Sequence, residues 1–279
     1  MGTAKRDRQR ENRQQRLLEQ QKAQQRRQTK RRAIFIAIPV LLVFGVGALI
    51  AILGGGGDDN EATTGDTSAA SVPGTTAFTP STVPGQAITG ATPCPAADGS
   101  SPRTITFEQA PPTCIDPAKT YTASVATNKG AFTIALDATT SPIALNNFVT
   151  LARYHYYDGT LCHRIITDFA VQCGDPAGTG GGPYPGYTIA EEPPADASAY
   201  AEGVVAMAKT QSPNSTGGQF FIVVGPDPGL TPDYSIVGKV AEGYDTTVAA
   251  MEAAAGPVES NGVPTREPIV LESVTITET

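Results

Sequence analysis

The sequence has no tryptophan and only two histidines, His155 and His163, in 279 residues. So few imidazoles leave little room for a histidine-dependent triad. The patterns that announce such chemistry are missing too, with no GxSxG and no HExxH anywhere. The stretch "GTGGGPYPG" lacks the Lys-Ser/Thr of a phosphate-binding loop and reads as a turn-rich surface loop. Basic residues are scarce beyond position 32. Residues 1–32 hold 12 of the 20 Lys and Arg with three acids, leaving 8 basic against 24 acidic residues in the remainder. An acidic body argues against nucleic acid as partner of the main domain, because neutralising phosphates needs clustered Lys and Arg.

One long apolar run is present. Residues 33–53, "AIFIAIPVLLVFGVGALIAIL", carry no charge and, at a helical rise of about 1.5 Å per residue, are long enough to cross a hydrocarbon core of about 30 Å. A cleaved signal peptide is the competing reading, but its apolar region is shorter and ends at a small-residue cleavage site, whereas "GGGGDDN" follows here. Arg26, Arg27, Lys30, Arg31 and Arg32 precede the run, and the positive-inside rule keeps that side cytoplasmic. The expectation is a single-pass cell-membrane anchor. Residues 1–32 then form a solvated basic cytoplasmic segment near anionic lipid, with everything after residue 54 extracytoplasmic.

That placement sets the reading of the cysteines. Cys94, Cys114, Cys162 and Cys173 all follow the run, an even number in an oxidising compartment, so two disulfides are expected among three possible pairings. Zinc held by Cys162, His163 and Cys173 is the alternative, unsupported by any CxxC or HxxxH spacing. Residues 54–93, with 24 of 40 positions Gly, Pro, Ser or Thr and no Lys or Arg, read as a disordered linker. Residues 94–118 read as a proline-punctuated lead-in stapled to the edge of a domain spanning 119–279.

Within that domain, "YTASVATNKGAFTIALD" reads as two alternating strands around a turn at Asn128-Lys129-Gly130. "SPIALNNFVTLARYHYY" has Ser141 as N-cap, Pro142 at the first helical position, and Ile143, Leu145, Phe148, Leu151 and Ala152 at helical spacing. Strands follow at 161–166 and 169–173, then a glycine-rich loop over 174–187. Further strands are expected at 203–208, 219–224 and 234–240, a second helix at about 243–253, and a closing strand in "EPIVLESVTITET". Many short strands with two helices predict a mainly β fold, a closed barrel capped by helices.

His155 lies at a helix end, where capping or packing is expected. His163 alternates to the strand face opposite Arg164 and is expected to pack or hydrogen-bond inside the barrel. Taken alone, Arg164 in "CHRIITDFAVQCGD" reads as a strand residue whose stem packs while its head reaches solvent. Three stretches in order change that reading: "CHRIITDFAVQCGDPAGTGGG", "VVAMAKTQSPNSTGGQFFIVV" and "YSIVGKVAEGYDTTVAAME". Together they resemble the cyclophilins, the peptidyl-prolyl cis-trans isomerases, over roughly residues 119–279. A tethered form with cysteines flanking the His-Arg strand resembles certain bacterial members.

The resemblance implies a closed eight-stranded antiparallel barrel with a helix at each end and a groove on its outer face. It makes Arg164 the catalytic arginine, with Phe169 and Gln172 beside it. It puts Ala170, Ala208, Lys209, Gln219, Phe221, Leu230 and Tyr234 in the substrate groove. Ala170 stands where methionine is usual, Tyr234 where many members have histidine, and Gly229 where many have a tryptophan. Strict alternation puts Gln172 opposite Val171, so a site shared with Arg164 is expected to need a twist or a bulge. Of the disulfide pairings, Cys162 with Cys173 would join adjacent antiparallel strands, and Cys94 with Cys114 would close the proline-rich loop. The implied function is an isomerase assisting the folding of exported or envelope proteins, with no cofactor and no metal. Its partners would be proline-containing peptides and unfolded exported chains, and it would act as a monomer. The alternative is a non-catalytic chaperone or envelope scaffold using the same groove.

Overall fold

A computed structural model describes residues 83–181 and 185–279. The chain divides into a unit of residues 1–60 and a unit of residues 61–279, and every described residue belongs to the second. The basic segment and the apolar run at 33–53 lie outside the described residues. Among the described residues no helix is long and apolar enough to cross a membrane.

The fold is mainly β. Strands β3 (Tyr121–Thr127) and β4 (Gly130–Leu136) form the expected hairpin, closed by Thr127 opposite Gly130. Tyr121, Ala123 and Val125 alternate inward, as period-two patterning requires. Helix α1 (Pro142–Arg153) follows. Its start departs from expectation, since the Ser141 side chain makes no capping bond and donates instead to the Glu192 carbonyl at 3.0 Å. The Glu192 carboxylate, from a distant loop, accepts the N–H groups of Ile143 and Ala144 at 2.8 and 3.0 Å. A negative charge there also complements the helix dipole. Ile143, expected on the apolar face, is 48% exposed. The buried face instead includes Asn146 and Asn147, whose amides hold the backbone of Pro112, Cys114, Ile115 and Gly217.

Strands β5 (Thr160–Leu161), β6 (Arg164–Ile166), β7 (Ala170–Cys173), β8 (Val204–Met207), β9 (Phe220–Val223), β10 (Ile236–Glu242) and β11 (Val270–Glu278) complete the main sheet. Between β10 and β11, a wide helical turn at Tyr244–Val248 runs into α2 (Ala249–Glu252), as the second helix expected there. The sheet order is β5-β11-β3-β4-β10-β8-β9-β7-β6, antiparallel throughout.

The expected closed eight-stranded barrel is corrected here to a curled, open ladder of nine strands among the described residues. The cause is local. The single strand expected over 161–166 is interrupted at Cys162-His163, so β5 pairs with β11 while β6 pairs with β7. The two ends of the ladder are therefore consecutive pieces of one chain. They are joined by two residues and one bridge between Leu161 and Asp175, with no strand-to-strand ladder between them.

Residues 83–93, assigned to the linker by composition, are ordered. Strand β1 (Gln86–Ile88) pairs in parallel with β2 (Thr104–Phe107), and Thr92 is buried. Composition weighs only a segment's own apolar content, whereas β1 takes its backbone partners from another segment. Phe107, 1% exposed, packs edge-on against Tyr154 with ring centroids 5.3 Å apart, so the lead-in contributes to the main core. Cys94 is bonded to Cys114 and Cys162 to Cys173.

Alternation in β7, β8 and β9 divides two apolar clusters. Val171, Val205, Met207, Phe220 and Ile222 face the large core with Phe148 and Leu145. Ala170, Val204, Ala206, Phe221 and Val223 face a second, smaller cluster on the other side of the sheet. Strands β8 and β9 are buried on both faces, and the second cluster is the floor of the candidate site.

Candidate active site

Register alone assembles the polar end of the site. In the β6–β7 hairpin Arg164 lies opposite Gln172, Ile165 opposite Val171 and Ile166 opposite Ala170. Directly opposed residues of an antiparallel pair share a face, so Arg164 and Gln172 both point outward while Ile165 and Val171 enter the core. The register runs without a shift, so of the twist or bulge expected there, no bulge is involved. The row continues across the sheet, Gln172 opposite Phe221 on β9 and Phe221 opposite Ala206 on β8.

The Arg164 guanidinium is held from two sides. Nη1 donates to Gln172 Oε1 at 3.2 Å, Nε to the Asn261 carbonyl at 3.2 Å, and Nη2 to Asn261 Oδ1 at 2.8 Å. Its Cζ lies 5.4 Å from the centre of the Phe169 ring, a cation–π distance. Burial lowers the pKa of Arg164 and the nearby Tyr234 opposes that shift, but a guanidinium stays charged throughout the physiological range. Gln172 Nε2 in turn donates to Gln219 Oε1 at 2.8 Å, and Gln219 Nε2 to the Gly180 carbonyl at 3.2 Å. The chain fixes the sense of both amides, since a flipped Gln172 would turn its NH2 group on the cation.

The apolar end is built around Phe221. Its ring meets Tyr234 edge-on at 5.3 Å, and Tyr234 meets Tyr200 at 6.2 Å. The Tyr200 hydroxyl donates to the Tyr234 carbonyl and accepts the Tyr234 N–H, at 2.8 and 2.9 Å, fixing the segment that carries Tyr234. Phe169, Ala208, Leu230 and Tyr234 are half-buried and pack on the cluster containing Ala170 and Phe221. Burial raises the Tyr234 pKa, Asp233 adds to the shift and Arg164 opposes it, so the phenol is protonated at neutral pH. The turn into β7 is close-packed at Gly225, where a Cβ would lie 2.0 Å from the Asp168 carbonyl oxygen.

The structure thus brings together Arg164, Phe169, Ala170, Gln172, Ala208, Gln219, Phe221, Leu230 and Tyr234. Lys209 follows Ala208 in the chain, half-buried, and is not part of the apolar cluster. His163 is buried against Gly180. Burial lowers its pKa, with Asp175 opposing. With Cys162 and Cys173 joined, neither sulfur is free to serve as a thiolate ligand. Asn261 and Tyr200 were not singled out from sequence. Asn261 is 97 residues from Arg164 in an unremarked turn, and only an Asn-Gly pair hinted at a special backbone there.

A groove with one clamped guanidinium beside an apolar floor has a counterpart among known families. Residues 122–276 match the family model described as cyclophilin type peptidyl-prolyl cis-trans isomerase/CLD. The chain belongs to the cyclophilin-type peptidyl-prolyl cis-trans isomerases. This cyclophilin domain is 37% identical over 177 residues to peptidyl-prolyl cis-trans isomerase A of Mycobacterium tuberculosis, covering 57% of this chain and 94% of that one. It is 40% identical over 119 residues to peptidyl-prolyl cis-trans isomerase-like 1 of Aspergillus oryzae, covering 42% of this chain and 73% of the relative. Among solved structures, it is similar to a cyclophilin type isomerase of Cryptosporidium parvum crystallised in the presence of the dipeptide Ala-Pro. The TM-score is 0.51 and the identity 30%, over 57% of this chain and 99% of that one. The family match starts inside β3, so β1, β2 and Phe107 lie outside the matched residues, although Phe107 belongs to the main core.

Proposed function

We propose that this isomerase works outside the cell membrane on proline-containing segments of exported or envelope proteins, tethered by residues 33–53, with Arg164 as its catalytic group. The observation that carries the catalytic reading is the guanidinium fixed by Gln172 and Asn261 at the edge of the Phe169, Phe221, Leu230 and Tyr234 cluster. An X-Pro amide isomerises over a barrier of about 18–20 kcal/mol because rotation destroys its partial double bond. At the twisted transition state the proline nitrogen regains a lone pair. A cationic N–H aimed at that nitrogen stabilises the twisted form more than either planar one, and no nucleophile is required.

Magnitudes assign shares of the work. Bringing a process of tens of seconds into the millisecond range takes roughly four decades, about 5–6 kcal/mol. One charge-assisted hydrogen bond supplies about 1.5–3 kcal/mol of this. The remainder falls to the apolar floor, which would seat the proline ring and keep water out. The Ala-Pro dipeptide of the Cryptosporidium parvum crystals supports a proline peptide as ligand. Two disulfides suit an oxidising compartment, and the basic residues before position 33 suit an N-terminus held in the cytoplasm.

The test uses the whole chain in detergent micelles, with proline-peptide exchange followed by NMR. Catalysed exchange is expected. Binding of the peptide with exchange at the uncatalysed rate would assign the groove to holding clients instead. For the location, protease added to intact cells should remove the domain, and its complete protection would overturn the extracytoplasmic assignment.

A further inference from the structure

The turn that meets Arg164 is built for close approach. The segment 256–262 runs beside β6: the Gly256 N–H donates to the Ile165 carbonyl at 3.2 Å, and the Ile165 N–H donates to the Gly262 carbonyl at 3.3 Å. Gly262 has φ +76°, and a Cβ there would lie 2.4 Å from the Ile165 carbonyl oxygen, so only glycine lets the turn come this near. Asn261 is also left-handed, at φ 58°, a region asparagine tolerates better than most residues. Pinned beside Ile165, Asn261 meets the side chain of the preceding residue, Arg164.

From this placement we propose that Asn261 is a positioning residue for Arg164. One residue offers two acceptors, its carbonyl to Nε and its amide oxygen to Nη2. Two bonds along one edge of a planar fork fix its rotation about Cδ–Nε, which a single bond leaves free. Gln172 takes Nη1 from the other side. Three of the fork's five N–H groups are thereby engaged, which leaves one on each Nη beyond these bonds. The side chain is exposed and adds nothing to the core, so its effect is expected on turnover and not on folding.

The inference rests on the reading of Arg164 as catalytic, and the experiment separates the two. The whole chain is compared as wild type, Asn261→Gly, Asn261→Asp and Arg164→Ala. Glycine keeps the left-handed backbone and the carbonyl acceptor of Nε but removes the side-chain amide that accepts from Nη2, while aspartate restores an oxygen acceptor at the same place. Asn261→Gly is expected to lower kcat about fivefold to tenfold with KM and melting temperature little changed. Asn261→Asp should recover at least about half of the wild-type kcat. The Arg164 Nη resonances should broaden in the glycine variant and sharpen again in the aspartate variant. Wild-type turnover in Asn261→Gly, or an aspartate variant as impaired as the glycine one, overturns the positioning role. If Arg164→Ala itself keeps its turnover, the catalytic reading falls instead.

Discussion

Arg164 and Gln172 face each other across the β6–β7 hairpin, Nη1 of one 3.2 Å from Oε1 of the other. The catalytic candidate and its orienting amide thus belong to a single supersecondary unit.

Arg164→Ala is expected to reduce kcat/KM by about tenfold to a hundredfold while the melting temperature stays within a few degrees, because the guanidinium lies on the outer face of the sheet. Arg164→Lys should recover little, since an ammonium cannot engage Gln172 and both Asn261 acceptors in one plane. Steady-state kinetics with parallel thermal denaturation decide it; activity lost only through unfolding would count against the mechanism.

His155 should titrate above the ordinary histidine value. At φ 55° its Nδ1 meets the Asp158 carboxylate and its Nε2 the Gly99 carbonyl, both at 2.8 Å. Both partners only accept, and a neutral imidazole has one N–H to give. The bond to Gly99 raises the pKa, and Asp158 adds to it, against burial and Arg103. A raised folded pKa means that the stabilisation is complete below the unfolded value of about 6.5 and is lost as pH rises through the folded one. An NMR titration of the ring yielding a pKa at or below the ordinary value would refute this, and His155→Asn should flatten the stability profile in that window.

Non-reducing peptide mapping should recover Cys94 with Cys114 and Cys162 with Cys173. Replacing the second pair by alanine should lower stability by about 2–4 kcal/mol, the usual effect of opening such a cross-link. Both of its sulfurs are buried, so dithiothreitol should reduce it only as the domain unfolds. Ready reduction of the native protein at this pair would contradict that burial.

Cyclosporin should inhibit this isomerase weakly. Gly229 occupies the rim position where many members of the family have tryptophan, and it is exposed, with nothing but its chain neighbours within 4 Å of a built Cβ among the described residues. A missing aromatic anchor commonly costs at least about 2 kcal/mol, some thirtyfold in affinity. A Cβ built there is unobstructed, but φ is +65°, so Gly229→Trp should restore only part of the sensitivity. Stoichiometric inhibition of the unmodified chain in a drug titration would sink the argument.

The strands around Asn128 and helix α1 were legible because each rests on local periodicity, whereas the groove residues were named only through the family resemblance. What escaped depends on partners far away in sequence. Glu192 caps a helix that Ser141 was expected to cap, β1 is a strand only because β2 lies beside it, and Asn261 reaches Arg164 through a turn that only the folded chain brings near. The break at Cys162-His163 was hidden for a different reason. Both halves of the interrupted strand carry the same apolar signal, and only their different neighbours, β11 and β7, reveal it.

The short ends of the sheet also govern how the domain meets other polypeptides. An exposed strand edge invites any extended chain to add itself as another strand. Here β5 has two residues and β6 three, and the outward N–H and C=O of Ile165 are already taken by Gly262 and Gly256. This edge is thereby closed to an added strand, and side chains, not main-chain templating, are left to select what the groove binds.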